Sequence, residues 1–231
     1  MLIACAVLPK GNAQFGIRVK ADFDRHHQIN ESLSNSFGGS QNIFSPTVEA
    51  GIDYWFTLGK KRVEFLPEVA FAYGNTTVTD QIDATLNRFV FNFHTQIYAL
   101  DLNEDCNCPT FAKQGPSINK GFFLHFTPGI SYSIMEFTVT DPNDPVPAVT
   151  STDSDVLTFH AGLGLGMDIG LSELVTITPM ASYYFHSGGD YIIPAANNSA
   201  AEVTGPFTQL QFQVRTGFRF DYKRSKYGRR R

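Results

Sequence analysis

From Gln209 to Tyr222 the chain alternates with a period of two. Leu210, Phe212, Val214, Thr216, Phe218, Phe220 and Tyr222 fall on one phase, and Gln209, Gln211, Gln213, Arg215, Gly217, Arg219 and Asp221 on the other. Successive side chains of a strand leave opposite faces of the pleat, so this pattern predicts a long strand with one greasy and one polar face. At about 3.3 Å per residue and a tilt of about 45°, such a strand crosses the hydrocarbon of a bilayer.

The same pattern recurs seven more times. Strands are predicted over about 15–24, 43–57, 62–74, 88–99, 121–135, 156–169 and 175–186, joined alternately by long polar and short connections. The long polar stretches, 25–42, 75–87, 138–155 and 187–205, are expected to be loops. Leu58-Gly59-Lys60-Lys61 and Ser172-Glu173 are expected to be tight turns. Unequal connections of this kind suit an up-and-down barrel with long loops at one end. A short motif repeats at three strand starts: Val63-x-Phe65-x-Pro67, Leu124-x-Phe126-x-Pro128 and Val175-x-Ile177-x-Pro179. Proline lacks a ladder donor, so these residues are expected near a bilayer interface.

Two features put the polar face inside. Gly162, Gly164 and Gly166 form a stripe on it, which is wasteful on a wetted surface but makes room in a narrow lumen for long neighbours such as Gln211, Gln213, Arg215 and Arg219. The second is charge. Glu49, Asp53, Glu64 and Glu68 lie on the polar face of strands two and three, and Arg18, Lys20, Arg215 and Arg219 on that of strands one and eight. Across a closed lumen these sets pair, and paired buried charge is tolerable where unpaired charge is not. Phe15, Phe44, Phe56, Phe89, Phe122, Phe185, Phe207, Phe220 and Tyr222 sit at or near strand ends, as an interfacial girdle requires. The fold class is therefore all-β: a closed antiparallel eight-stranded transmembrane barrel over 15–222.

Composition narrows the rest. A net charge of -4 argues against a general nucleic-acid partner. No run approaches 18 uninterrupted apolar residues, which excludes a transmembrane helix but not a barrel. Residues 1–14 read as the end of a signal peptide, with an apolar core from Leu2 to Leu8 and small residues before Phe15. The basic n-region is missing, which points to a start upstream of Met1. Residues 223–231 hold six basic side chains and read as a basic periplasmic tail.

With its Asn12-Ala13-Gln14-Phe15 junction, its Phe65-Leu66-Pro67 and Phe126-Thr127-Pro128 strand starts and its closing Phe218-Arg219-Phe220-Asp221-Tyr222, the chain resembles the small outer-membrane barrels of the OmpX and PorT-like kind, particularly those of Bacteroidota. It departs from the commonest pattern in that nine residues follow Tyr222. The resemblance implies a bacterial outer membrane and roles as adhesins, stress-related surface proteins or subunits of envelope machines.

Few residues suggest chemistry. Asp105-Cys106-Asn107-Cys108-Pro109, in an unusually long terminal-side connection, suits a local disulfide, a partner-docking loop or half of a metal site; one Cys-x-Cys without a second pair is a weak metal signal. His94, His125 and His160 fall on the polar face of adjacent strands, where lumen packing is the plain reading and a metal cluster the sharper one. His186, Ser187 and Asp190 offer the residue types of a hydrolase without a recognisable spacing. The expected function is a non-enzymatic surface or scaffold protein with no cofactor and no metal, both termini periplasmic. It would sit in lipopolysaccharide and phospholipid and contact other envelope proteins. A lipid-modifying enzyme and a narrow small-solute channel are the alternatives.

Overall fold

The computed structural model describes residues 14–37, 46–57, 63–79, 82–100, 121–140, 149–172, 174–195 and 199–219. In chain order these form β1 (Gln14–Arg25), α1 (His27–Phe37), β2 (Thr47–Thr57), β3 (Val63–Thr79), β4 (Ile82–Ile97), β5 (Phe122–Thr140), β6 (Val149–Met167), a two-residue β7 (Ile169–Gly170), β8 (Val175–Ala195) and β9 (Ser199–Arg219). Each long strand pairs antiparallel with its neighbours, β1 pairs with β9, and β6 pairs with β8 to close the ring. The result is an eight-stranded up-and-down barrel. Gln14 and Arg219 are partners across β1 and β9, so both ends of the described chain lie at one rim, the terminal rim.

Alternation sorts the wall. Ile17, Val19, Ile52, Val69, Phe91, Leu163, Leu165, Phe212 and Val214 face outward and exposed, whereas Arg18, Lys20, Glu49, Asp53, Glu68 and Arg215 face inward and buried. A continuous exposed apolar belt of this kind is stable only against lipid hydrocarbon. Aromatic rings edge it. Near the terminal rim Phe15 meets Tyr54, and Phe56, Phe65 and Phe93 form a cluster. Toward the other end, Phe23 meets Phe212, Phe71 meets Phe89 and Tyr183 meets Phe185.

Beyond the belt the pattern inverts, which the sequence reading missed. The stretches expected to be loops at 75–87, 138–155 and 187–205 are largely strand: β3 runs to Thr79, β4 starts at Ile82, β5 reaches Thr140, β6 starts at Val149, and β8 and β9 extend to Ala195 and from Ser199. In this distal section Asp83, Glu136, Asp153, Asp155, Asp190 and Glu202 face outward. Ile82, Ala84, Leu86, Met135, Phe137, Val156, Tyr191 and Ile193 are buried inside. The physical reason is the solvent. A wall standing in water must turn its apolar phase inward, whereas the same wall in lipid turns it outward. Serine, threonine and aspartate on the outward phase made these stretches resemble loops.

The stretch 25–42, also expected to be loop, contains helix α1. Its Asn30 amide donates to the His26 carbonyl at 3.0 Å, which starts the helix. Ile29 and Leu33, one turn apart, complete the distal apolar core. Serines and asparagines gave the segment little intrinsic helix propensity, so the helix depends on that packing.

The prolines divide. Pro67 pairs with Phe93 of the terminal-side aromatic cluster, near the edge of the belt as expected, whereas Pro179 lies opposite Val214, farther into the belt. Each of them, like Pro128, coincides with missing rungs on one side. The β2–β3 ladder skips from Asp53↔Glu68 to Phe56↔Phe65, and the β4–β5 ladder from Asn92↔Gly129 to Thr95↔Phe126. Pairing between the β6–β7 segment and β8 skips from Gly166↔Met180 to Ile169↔Ile177.

Leu163, 62 % exposed on the belt, is expected to lose about 2–4 kcal/mol of barrel stability on substitution by arginine. Glu202→Arg on the water-facing section is expected to cost less than about 1 kcal/mol. Urea unfolding in lipid vesicles measures both.

Candidate functional site

The lumen is a stack of buried polar layers, each built from inward-facing residues of several strands. At the terminal rim Trp55 Nε1 donates to Glu64 Oε2 at 2.7 Å, and the Tyr98 hydroxyl contacts both Glu64 and Asp168. Thr178 Oγ1 donates to Asp168 Oδ1 at 2.6 Å. Tyr98, Phe123 and Met180 pack together beside them.

Above lies a guanidinium layer. Arg215 donates twice to Asp53, Nε to Oδ2 and Nη2 to Oδ1, each at 2.7 Å. Arg18 Nε also reaches Asp53 Oδ2 at 2.7 Å, and its Nη1 donates to Gln213 Oε1 at 3.1 Å. The planar fork matches the carboxylate, so one aspartate serves two arginines. Room for Arg215 comes from glycine: a Cβ on Gly16 or Gly217 would stand 2.5 Å from its guanidinium.

The next layer centres on Lys20, whose Nζ bonds Glu49 Oε1 and, at 2.7 Å, Glu68 Oε2. The same Glu68 oxygen meets Asn92 Nδ2 at 3.1 Å and His94 Nε2 at 2.5 Å. His94 Nδ1 continues to His125 Nε2 at 2.8 Å and Thr127 Oγ1 at 2.9 Å, and His160 Nε2 sits 2.7 Å from Asn92 Oδ1. Highest in the lumen, Arg88 Nη2 donates to Asp24 Oδ2 at 2.5 Å and its Nε to Ser133 Oγ at 3.3 Å. Gln211 Nε2 donates to Asp22 Oδ1 at 2.8 Å. There Phe207 is stacked between the rings of His26 and His186, at centroid distances of 4.1 and 4.0 Å.

These layers leave little space. A cavity of about 10 Å³, lined by Glu49, Arg88, His160, Tyr184, His186 and Gln211 among others, is at the limit for a single water. Among the described residues no group of three or more His, Cys, Asp or Glu is placed to hold a metal ion.

The structure therefore brings together Arg18, Lys20, Glu49, Asp53, Glu68 and Arg215, and places Glu64 at the terminal rim with Trp55 and Tyr98. Arg219 ends β9, and its side chain is outside the described residues, as are Asp105, Cys106, Cys108, Pro109, Phe44, Phe220, Tyr222 and the basic tail. His94, His125 and His160 are hydrogen-bonded packing groups. His186 and Ser187 do not converge. Consecutive on β8, they leave opposite faces, His186 buried and Ser187 exposed, and Asp190 bonds Thr204 on the outside. Phe207 is not part of the girdle, because it shares the phase of Gln209 and is 4 % exposed. The stripe at Gly162, Gly164 and Gly166 makes room for Tyr184, Ser182 and the Phe123–Met180 pair rather than for the glutamines and arginines. The Asp24–Arg88 pair escaped sequence reasoning because Arg88 lay at the edge of a supposed loop. Its phase, two residues before Val90 and four before Asn92, was the signal that could have found it.

No family model matches the chain, and no curated protein matches it. Its fold is similar to solved outer-membrane structures. The attachment invasion locus protein Ail of Yersinia pestis has 11% identity and a TM-score of 0.49, over 92% of this chain and 100% of that one. A major outer membrane protein from Thermus thermophilus has 11% identity and a TM-score of 0.48, over 90% and 99%. The outer membrane protein OprG from Pseudomonas aeruginosa has 11% identity and a TM-score of 0.37, over 91% and 97%. At this distance the closed ring rests on the chain's own strand pairing.

Asp53→Asn leaves two arginines facing one neutral amide, and is expected to cost about 3–5 kcal/mol of stability. Asp83→Asn, on the water-facing side with Thr77 as partner, is expected to cost less than about 0.5 kcal/mol. The urea midpoints of the two variants in vesicles compare them directly.

Proposed function

We propose that this chain is a non-enzymatic barrel of a bacterial outer membrane, of the OmpX and PorT-like kind found in Bacteroidota. In this reading it is a scaffold whose water-facing distal section and terminal-side segments meet partners. The observation that carries the proposal is the division of one barrel into two solvents: a lipid-facing section plugged by ion pairs, continuing into a distal section with an apolar core and an acidic exterior. A filled lumen makes the wall a rigid platform, and function then falls to what projects from it. Both termini are assigned to the periplasm, and the distal section to the cell exterior.

Lipopolysaccharide and phospholipid surround the belt in this reading. Other outer-membrane or periplasmic proteins are the proposed partners, docking on Asp105, Cys106, Cys108 and Pro109 and on the basic tail. An enzyme acting on lipid is less well supported, since Ser187 and His186 face opposite sides of the wall. A small-solute channel is less well supported, since ion pairs and hydrogen bonds cross the lumen at successive levels among the described residues.

Two measurements test this. In planar bilayers the purified protein is expected to give no stepwise conductance; regular steps would replace the scaffold with a channel. Crosslinking in native membranes is expected to recover a reproducible partner set that thins when Cys106 and Cys108 are replaced by serine. Full retention of every partner would remove the docking role of that segment.

A further inference from the structure

Between β6 and β8 both strands run on past the end of their shared ladder. β6 and β5 pair without a break from Phe122↔Met167 to Thr140↔Val149, and β8 and β9 stay paired as far as Ala195↔Ser199. The ladder between β6 and β8 stops at His160↔His186. Beyond it β6 runs on to Val149 and β8 to Ala195, side by side but without rungs between them among the described residues. Serine side chains replace the missing backbone bonds. Ser187 Oγ accepts from the Phe159 amide at 3.0 Å, and Ser154 Oγ from the Ile192 amide at 3.1 Å. A hydroxyl that can rotate away is a weaker fastening than a ladder, and a barrel otherwise avoids an unpaired strand edge.

A pair of glycines lies at the same level. The β8–β9 register shifts between His186 and Gly189, and Gly189 pairs with Gly205, so both strands of the hairpin carry glycine where it leaves the ring. Val156 of β6 fills the space a Cβ on Gly189 would take, so this glycine lets β8 pack against β6 across the seam, and opening has to break that contact as well; without Cβ atoms both strands change backbone angles at little cost. Helix α1 packs on β8 and β9, with the Gln28 amide occupying the space a Cβ on Gly205 would take. The helix therefore rides on the hairpin.

Apolar side chains stand on both faces of the seam where it begins. Outside, it begins between lipid-facing Phe159 and Phe185, 63 % and 57 % exposed. Inside, it opens on Val156, Tyr191 and Ile193 of the distal apolar core. Apolar surface on both sides is a path for hydrocarbon. Asp155 and Asp190 stand exposed on the two strands that flank it, and disfavour an anionic headgroup.

We propose that the β8–β9 hairpin, carrying α1, is a hinged flap, and that the β6–β8 seam is a lateral gate. Through it the acyl chain of a single-chain amphiphile with an uncharged headgroup passes from the outer leaflet into the distal apolar core. The proposal rests on the membrane-spanning reading above. Opening breaks the two serine bonds and lifts Ile29 and Leu33 from the core, which frees a site for the chain.

The test uses the full-length protein in lipid vesicles with a diazirine-bearing hexadecanol, photolysed and mapped by mass spectrometry. Lipid-facing Leu157 and Phe185 and interior Val156, Tyr191 and Ile193 are expected to carry label. A Phe159→Cys/Ser187→Cys variant, with Cys5, Cys106 and Cys108 replaced by serine, locks the seam when oxidised. Interior label is expected to fall about tenfold on oxidation, with formation of the disulfide verified in the same digest, and to return on reduction. Label confined to Leu157 and Phe185 in the wild type overturns the gate and leaves the membrane reading standing. Interior label indifferent to the lock overturns the seam as the route. Absence of label from Leu157 and Phe185 removes the membrane reading itself, and the gate with it.

Discussion

In hydrocarbon there is no water to take up a stray amide or carbonyl, and every other feature of this chain follows from that constraint. A sheet meets it only by closing, and here β1 joins β9 while β6 joins β8. Closure then creates an interior of fixed width. With eight strands that interior is only as wide as its side chains, so whatever faces inward must fill it and satisfy itself. The polar layers from Tyr98 to Arg88 are the consequence.

Those layers share partners around Asp53 and Glu68 rather than pairing every group, since Arg18 Nη2, Asp22 Oδ2 and Gln213 Nε2 are buried without a hydrogen-bond partner. Taking a guanidinium and a carboxylate out of water costs several kcal/mol per ion, and the pair recovers this only with good geometry and further partners. Asp53 receives three bonds from two arginines, and Glu68 is shared by Lys20, Asn92 and His94. Glycines at 16, 51, 129 and 217 yield the space these long side chains need. Such a lumen braces the wall from within. Farther out, the ladder between β6 and β8 ends and serine bonds take over.

The change of solvent along the barrel axis explains why the sequence was legible in one part and misleading in another. Within the belt, apolar residues on one phase and Gln, Arg and Glu on the other made the strands and their inward faces readable, and Arg18, Lys20, Glu49, Asp53, Glu68 and Arg215 fell where their phase placed them. In the distal section the phase is unchanged but its meaning reverses. Asp153, Asp155 and Thr77 decorate the outside of strands and so resembled loop, while Ile29 and Leu33 looked too sparse for a helix until the core they complete was formed around them.

What the sequence by itself determined is the period of two, the number of long strands, the choice of polar face as interior within the belt, and the residue types available to neutralise one another. These are local properties, carried by neighbours on one strand. What only the tertiary structure decided is which charge meets which, that Arg88 pairs with Asp24, that Phe207 turns inward between two histidines, and that the β6–β8 ladder ends at His160 and His186. Partner choice, stacking and the end of a ladder depend on register between strands far apart in the chain. That register is set only when the ring closes and every layer has to fit the same narrow lumen.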